Sequence, residues 1–515
     1  MLEDLPIELL EAVAAVLDPP ALLSLLCCSQ LVHCSLAPKY NPQLYARLFH
    51  SAFDTAALQR RQGLPSTALL CHEYCARVLL LRRLRSCKTL ADIPPQEQLE
   101  KLLWSVYLIV LEHDSKNVPQ LLENGNLHGF LALLSRHQFD HSPTNPAYPP
   151  DTVDRSLALH IGYLLRIKDT LPPNNTRNSF LKPYTFAAYK YDSFLAPWTH
   201  AHLPMGSAET GTPPNTNFAD QDPSLVADNS LRPRTCRVHH LGRDLSISPP
   251  LTSMTALLEF FDTERADYAD EEFALLDFPS GTPAPRADTQ LLISSLHDFE
   301  LDRLLACHNS LSSPGLSWHR HKNFFQGTWE GRFCFFDFEH YRAMLAGNLR
   351  YLDVGNYSLQ PQVWKLKETV VRLRPSHRRS RLSPWISDSD EYDQLFNSVS
   401  PSTPATPSQS SRGNPTGTEK YDEGDAECEI VLSGTGHSAW GQFTLTGRVR
   451  SWDGLFTILK RYVPDTRGVW VYRGYYHNPT GSLVGRWRDT FTSLDMHGYE
   501  GTFALHRRQN YVVEK

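Results

Sequence analysis

Two apolar periods run through this chain, and one layer of secondary structure cannot carry both. Up to about residue 170, apolar residues recur three and four apart: Leu9, Ala12, Val13, Val16 and Leu17, then Leu99, Leu102, Leu103, Val106 and Val110. That spacing lines one face of a helix. After about residue 322, short runs rich in β-branched and aromatic residues take over, bounded by glycine and proline. There alternate residues share a face, as Trp470, Tyr472, Gly474 and Tyr476 do against Val469, Val471, Arg473 and Tyr475. Patterns segregated in this way predict an α+β, multidomain chain. A length of 515 residues agrees, since a single core stops growing at roughly 250–300 residues.

Residues 1–50 read as three short helices. Pro6 suits a first helical turn, and Asp18-Pro19-Pro20 ends one helix and begins the next. The second run carries Leu22, Leu23, Leu25 and Leu26, and the third begins near Pro42. Helical character continues over 51–170 as a linker region. Residues 171–320, rich in Pro, Asn, Thr and Asp, read as an irregular middle with short helices. One of these is predicted at 253–264 through Met254, Leu257, Leu258 and Phe261.

Residues 321–512 hold the strand segments, from Thr328–Phe336 through Gly501–His506, with Asn478-Pro479-Thr480-Gly481 as a hairpin turn. So many short strands predict an antiparallel β-barrel or sandwich, which also removes exposed edges. Within it, residues 375–427 are expected to be a disordered insertion, because ProSerThrProAlaThrProSerGlnSerSer at 401–411 cannot bury enough surface to offset its ordering entropy.

Composition narrows the function. A net charge of −6 gives no electrostatic case for nucleic acid. The ten cysteines are scattered and do not form the dense framework of a small secreted domain. The opening is acidic, unlike a signal peptide, and no run of about 20 apolar residues occurs, so no membrane span is expected. Cytoplasm or nucleus is the expected location.

Motifs for chemistry are incomplete. Gly436-His437-Ser438-Ala439-Trp440 resembles a nucleophile elbow, but the fifth position is Trp and the setting is β-rich. Cys71 and Cys75 lack a second ligand pair for zinc, as do His239-His240 and His319 with His321. No phosphate-binding glycine loop and no RING-type array is present, so no cofactor, metal or bond-making residue is implied. Arg378, Arg379 and Arg381 could form a nuclear signal or a solvated loop edge. Ser383, Ser400, Thr403 and Thr406 precede proline, and Ser387 and Ser389 flank acidic residues. Phosphates at these positions would add charge able to gate a nearby surface.

The opening segment resembles the F-box, in its fungal form. The resemblance rests on Leu5-Pro6, Glu8-Leu9-Leu10, the Leu17-Asp18-Pro19 break and the Leu22-Leu23-Ser24-Leu25 helix, and covers about a tenth of the chain. Where the family often has Cys-Lys-x-Trp, this chain has Cys28-Ser29-Gln30-Leu31. The resemblance implies contact with a Skp-type adaptor, and through it with cullin and RING subunits, by way of Leu5, Pro6, Leu9, Leu22 and Leu25. The alternative is that these leucines form the core of a small helical bundle; Leu9, Val13 and Leu17 suit that role equally, whereas Leu5-Pro6, at the entry to the first helix, favours contact.

Gly327-Thr328-Trp329-Glu330-Gly331, Val484-Gly485-Arg486-Trp487 and Gly501-Thr502-Phe503 look like strand signatures of substrate domains that follow F-boxes. The resemblance therefore implies a non-catalytic receptor of an SCF-type ubiquitin ligase that carries a protein substrate. Trp329, Trp440, Trp470, Arg486 and Trp487 are the candidate substrate contacts, because Trp and Arg dominate interface hot spots; the alternative is that the tryptophans fill the barrel. Two further readings stand beside this one: a barrel that binds a small ligand, and an adaptor-bound protein acting outside a ligase.

Overall fold

The helical and strand periods separate in space as they do along the chain. A computed structural model describes residues 5–140, 149, 151–166, 181–187, 191, 235–267, 292–308, 313–348, 351, 355–372, 428–451, 453–464, 467–492 and 498–508. It divides into two units, Met1–Pro183 with Arg232–Asn309, and Tyr184–Leu231 with Ser310–Lys515.

The first unit is mainly helical. Its opening fifty residues hold α1 (Ile7–Val16), α2 (Pro19–Leu26), α3 (Gln30–Leu36) and α4 (Pro42–Ala52), one helix more than the sequence predicts. Caps set their boundaries. Asp18 accepts from Ala21 N at 2.8 Å with Pro19 and Pro20 in the first turn, Ser29 accepts from Val32 N at 3.2 Å, and Asn41 accepts from Leu44 N at 3.1 Å. Next come α5 (Ala56–Gln62), α6 (Thr67–Ser86), α7 (Gln96–Leu111), α8 (Asn117–Pro119), α9 (Leu127–Asp140) and α10 (Val153–Leu164). From Leu102 to Leu111 every residue of α7 except Ser105 is buried, so this helix is the unit's axis.

The first unit also takes back part of the middle expected to be irregular. The hairpin β1 (Cys236–His240) and β2 (Arg243–Ile247), α11 (Thr252–Asp267) and α12 (Asp298–Ala306) all belong to it. Met254, Leu257, Leu258 and Phe261 are buried, as their spacing predicts. Polar locks hold this segment. Asp298 takes Arg60 at 2.6 Å and Arg61 at 2.7 Å, while the Glu112 carboxylate meets Arg77 and His240, each at 2.6 Å. Burial raises the Glu112 carboxyl, but the charges of His240 and Arg77 outweigh it and hold the group at about 2.

The second unit is a closed antiparallel barrel of β3 (Gly327–Phe336), β4 (Tyr357–Arg372), β5 (Cys428–Ser438), β6 (Gly441–Val449), β7 (Phe456–Val463), β8 (Val469–His477), β9 (Ser482–Asp489) and β10 (Glu500–Arg507). A helix, α13 (Phe338–Leu345), follows β3. β10 pairs with β3 and with β9, which closes the ring. Between β8 and β9 the predicted turn forms at Asn478–Thr480, and Gly481 completes it in the left-handed region at φ 62°. The proposed insertion at 375–427, with its serines and threonines, and the Arg378–Arg381 cluster lie outside the described residues.

Inside the barrel, period two brings Trp329, Phe333, Trp364, Phe443, Phe456, Tyr472, Trp487 and Phe503 into one cluster. Trp364, Tyr472 and Phe503 pack with centroids 5.1–5.6 Å apart. Aromatic side chains also lie over inward glycines: a Cβ on Gly501 would come within 2.5 Å of the Trp487 ring. The lumen is thus packed with rings through its middle.

Candidate functional sites

The first site is the surface of α1 to α3. Its core face consists of Leu10 and Ala14 of α1 with Leu22, Val32, Leu36 and Leu44. Leu9, Val13 and Val16, which the spacing assigns to one apolar face, all face solvent. Leu5 is 37% exposed, Ile7 45%, Leu9 52%, Val13 43%, Val16 82%, Leu23 54% and Leu31 49%. Pro6 is exposed as well. Two apolar faces compete on this helix, and the neighbouring helices bury the smaller one. Of the residues carried over by resemblance, Leu5, Pro6 and Leu9 lie open, Leu25 is half-buried, and Leu22 belongs to the core. Glu11 fixes the helix that presents this face: it accepts from Asn41 Nδ2 at 2.6 Å and pairs with Arg47 of α4. The Asn41 hydrogen bond keeps the Glu11 carboxyl below its usual range.

The second site is the barrel, where the five proposed contacts do not share a surface. Trp440, on the β5–β6 hairpin, packs on Phe333 (5.0 Å) and Phe335 (5.5 Å) at one end. Trp487 joins the same group, lying 6.3 Å from Phe333 and 5.3 Å from Trp470. Trp440 and Trp470 are half-buried, whereas Trp487 is buried and donates to Cys334 O at 3.1 Å. Trp329 lies at the other end, buried beneath Arg507 (4.8 Å) and donating to Phe325 O at 2.7 Å. Arg486 points outward yet is fully buried: its guanidinium donates to Thr185 O at 3.0 Å and Tyr184 O at 2.6 Å, pinning that strap to the barrel wall. Trp440 and Trp470 alone of the five retain open surface.

One polar cluster escaped the sequence reading. Lys460 on β7 follows Phe456 and Ile458 in the inward register and ends inside the lumen, 1% exposed. Its Nζ donates to Gln362 Oε1 at 3.1 Å and lies 3.5 Å from the Tyr472 hydroxyl. Trp364 Nε1 donates to the same Gln362 oxygen at 3.1 Å. The rings of Phe443, Phe333, Tyr462 and Tyr472 surround the ammonium at 4.1–5.4 Å. Desolvation lowers the Lys460 pKa to about 7. The signal lay in the alternation itself, since a lysine in an inward position of a barrel strand has no water to reach.

Among the described residues, no group of three or more His, Cys, Asp or Glu is placed to hold a metal ion. No described helix is long and apolar enough to cross a membrane. No protein-family model, curated protein or solved structure matches the chain.

Proposed function

We propose that this chain is a substrate receptor of an SCF-type ubiquitin ligase, with residues 1–50 as its F-box and the barrel as its substrate-carrying domain. The observation that carries the reading is the open apolar face of α1 to α3, running from Leu5 to Leu31. Large apolar side chains kept in water in this number mark a surface built to be covered. Burying one half-exposed leucine contributes roughly 1 kcal/mol, so the residues must act together on one partner. In this reading that partner is a Skp-type adaptor, which hands the complex to cullin and RING subunits. Function then comes from proximity: a lysine of the bound substrate is held near the charged conjugating enzyme, which raises its effective concentration.

The test is affinity capture of the wild-type chain against a Leu5→Ala/Pro6→Ala/Leu9→Ala variant. Loss of adaptor and cullin with retention of other partners is expected. Unchanged adaptor recovery from the variant overturns the proposal, and capture of adaptor without cullin moves the protein outside a ligase.

A further inference from the structure

The outer wall of β4 to β7 has a charge pattern that the chain as a whole does not. Register places Lys365, Thr435, Thr444 and Arg461 in one row across four strands. The row on one side is Val363, His437, Gln442 and Val463, and on the other Lys367, Ser433, Thr446 and Leu459. None of the residues in these rows is acidic, in a chain whose net charge is −6. The nearest carboxylate on the adjoining strand, Glu330 beside Val363, already faces Arg508 at 3.6 Å. A groove of about 430 Å³ opens on this wall, lined by Lys365, Thr435, His437, Gln442, Thr444 and Val463 among others. Cations stand at its sides, with hydroxyls and an amide between them.

We infer that this groove docks an anionic peptide segment, rich in carboxylate or phosphate. The inference rests on the receptor reading above and names the class of substrate that the barrel takes. Lys365 and Lys367 supply the charge, and the threonine hydroxyls and Gln442 amide donate to the same oxygens. Nucleic acid fits less well. Two lysines fall short of the roughly six to ten phosphate contacts of an electrostatic nucleic-acid site, and the groove's Phe443 is buried in the barrel core, where bases cannot stack on it. A lipid surface fits less well too, since Val463 is the only large apolar side chain exposed in these rows.

The experiment uses the purified full chain and a fluorescent degenerate decapeptide pool in three forms, with two fixed phosphoserines, two glutamates or two unmodified serines. The expected result is binding of an anionic pool above the unmodified one, weakening with salt. Lys365→Glu/Lys367→Glu should weaken that binding at least about tenfold. Binding of both anionic pools assigns the site to charge in general, and binding of the phosphoserine pool alone assigns it to phosphate. Equal binding of the unmodified pool overturns the inference, as does an unchanged affinity in the charge-reversed variant. So does tighter, Lys365- and Lys367-dependent binding of single-stranded RNA or of phosphoinositide vesicles. If the reversed variant unfolds, Lys365→Gln/Lys367→Gln is the substitute. Adaptor capture by these variants separates the two ideas: peptide binding lost with adaptor recovery intact concerns the groove alone, and adaptor never recovered sinks the receptor reading instead.

Discussion

Lys460 is where residue-scale physics departs furthest from composition. A lysine in the lumen loses its water and finds an amide oxygen, a phenol and ring faces, but no carboxylate among its hydrogen-bond partners. Its folded pKa, lowered to about 7, lies well below that of the unfolded chain. Between those values the unfolded state binds the extra proton, so stability rises with pH across that window. Below pH 7 the full penalty applies, roughly 4–5 kcal/mol before the ring faces offset part of it. Lys460→Met should therefore raise the barrel's unfolding midpoint at pH 6 and flatten its dependence between pH 7 and 9. A variant that unfolds more easily at pH 6 would show that the ammonium supports the barrel instead of burdening it. The tryptophans give a complementary lesson. Their strands and faces were legible in the alternation, but which end of the barrel each would occupy was not. That depends on register and closure between strands far apart in sequence, which separate Trp329 from Trp440.

At the scale of the element, α1 shows why a helical period finds a helix without finding its buried side. Leu9, Val13 and Val16 share a face by spacing, as do Leu10 and Ala14, and the neighbours decide. Those neighbours include α3, which sequence reading missed because seven residues leave too little periodicity and Ser29 is its one strong start signal. The two faces should respond in opposite ways. Leu10→Ala is expected to destabilise the helical unit by roughly 2–4 kcal/mol through the cavity it leaves. Leu9→Glu/Val13→Glu should stay within about 1 kcal/mol of wild type, since both changes fall on open surface. Chemical denaturation followed at 222 nm measures both. Equal losses would mean that Leu9 and Val13 are core and that the open face does not exist. The strands were read more fully than the helices, because alternation fixes the side of a strand without reference to a third element.

Over the whole molecule, the middle expected to be irregular proves to be shared between the two units, with 232–309 returning to the helices. The helix over 253–264 was legible in its period, but the return itself was not, because no local period announces long-range contacts such as Arg61–Asp298 and Glu112–His240. The two units answer pH with the same sign but in different windows. In the helical unit, burial holds His160 down at about 3 and His297 at about 4. The unfolded chain takes up these protons from pH 6.5 downward while the folded unit does not, so helical stability falls as pH drops through that range. Below about pH 4.5 the loss continues, because the unfolded chain's Glu112 takes up a proton that the folded one, held at about 2, does not. In the barrel, Lys460 makes stability rise between pH 7 and 9, by roughly 2–3 kcal/mol. All described tryptophans except Trp104 lie in the second unit, so indole fluorescence follows the barrel while ellipticity at 222 nm follows the helices. Thermal melts should then show a fluorescence midpoint that climbs by roughly 5–10 °C from pH 7 to 9, and an ellipticity midpoint that falls from pH 7 to 5. Two probes moving together at every pH would mean that the units unfold as one, and that the charges locking the 235–308 segment do not set the stability of the helical unit by themselves.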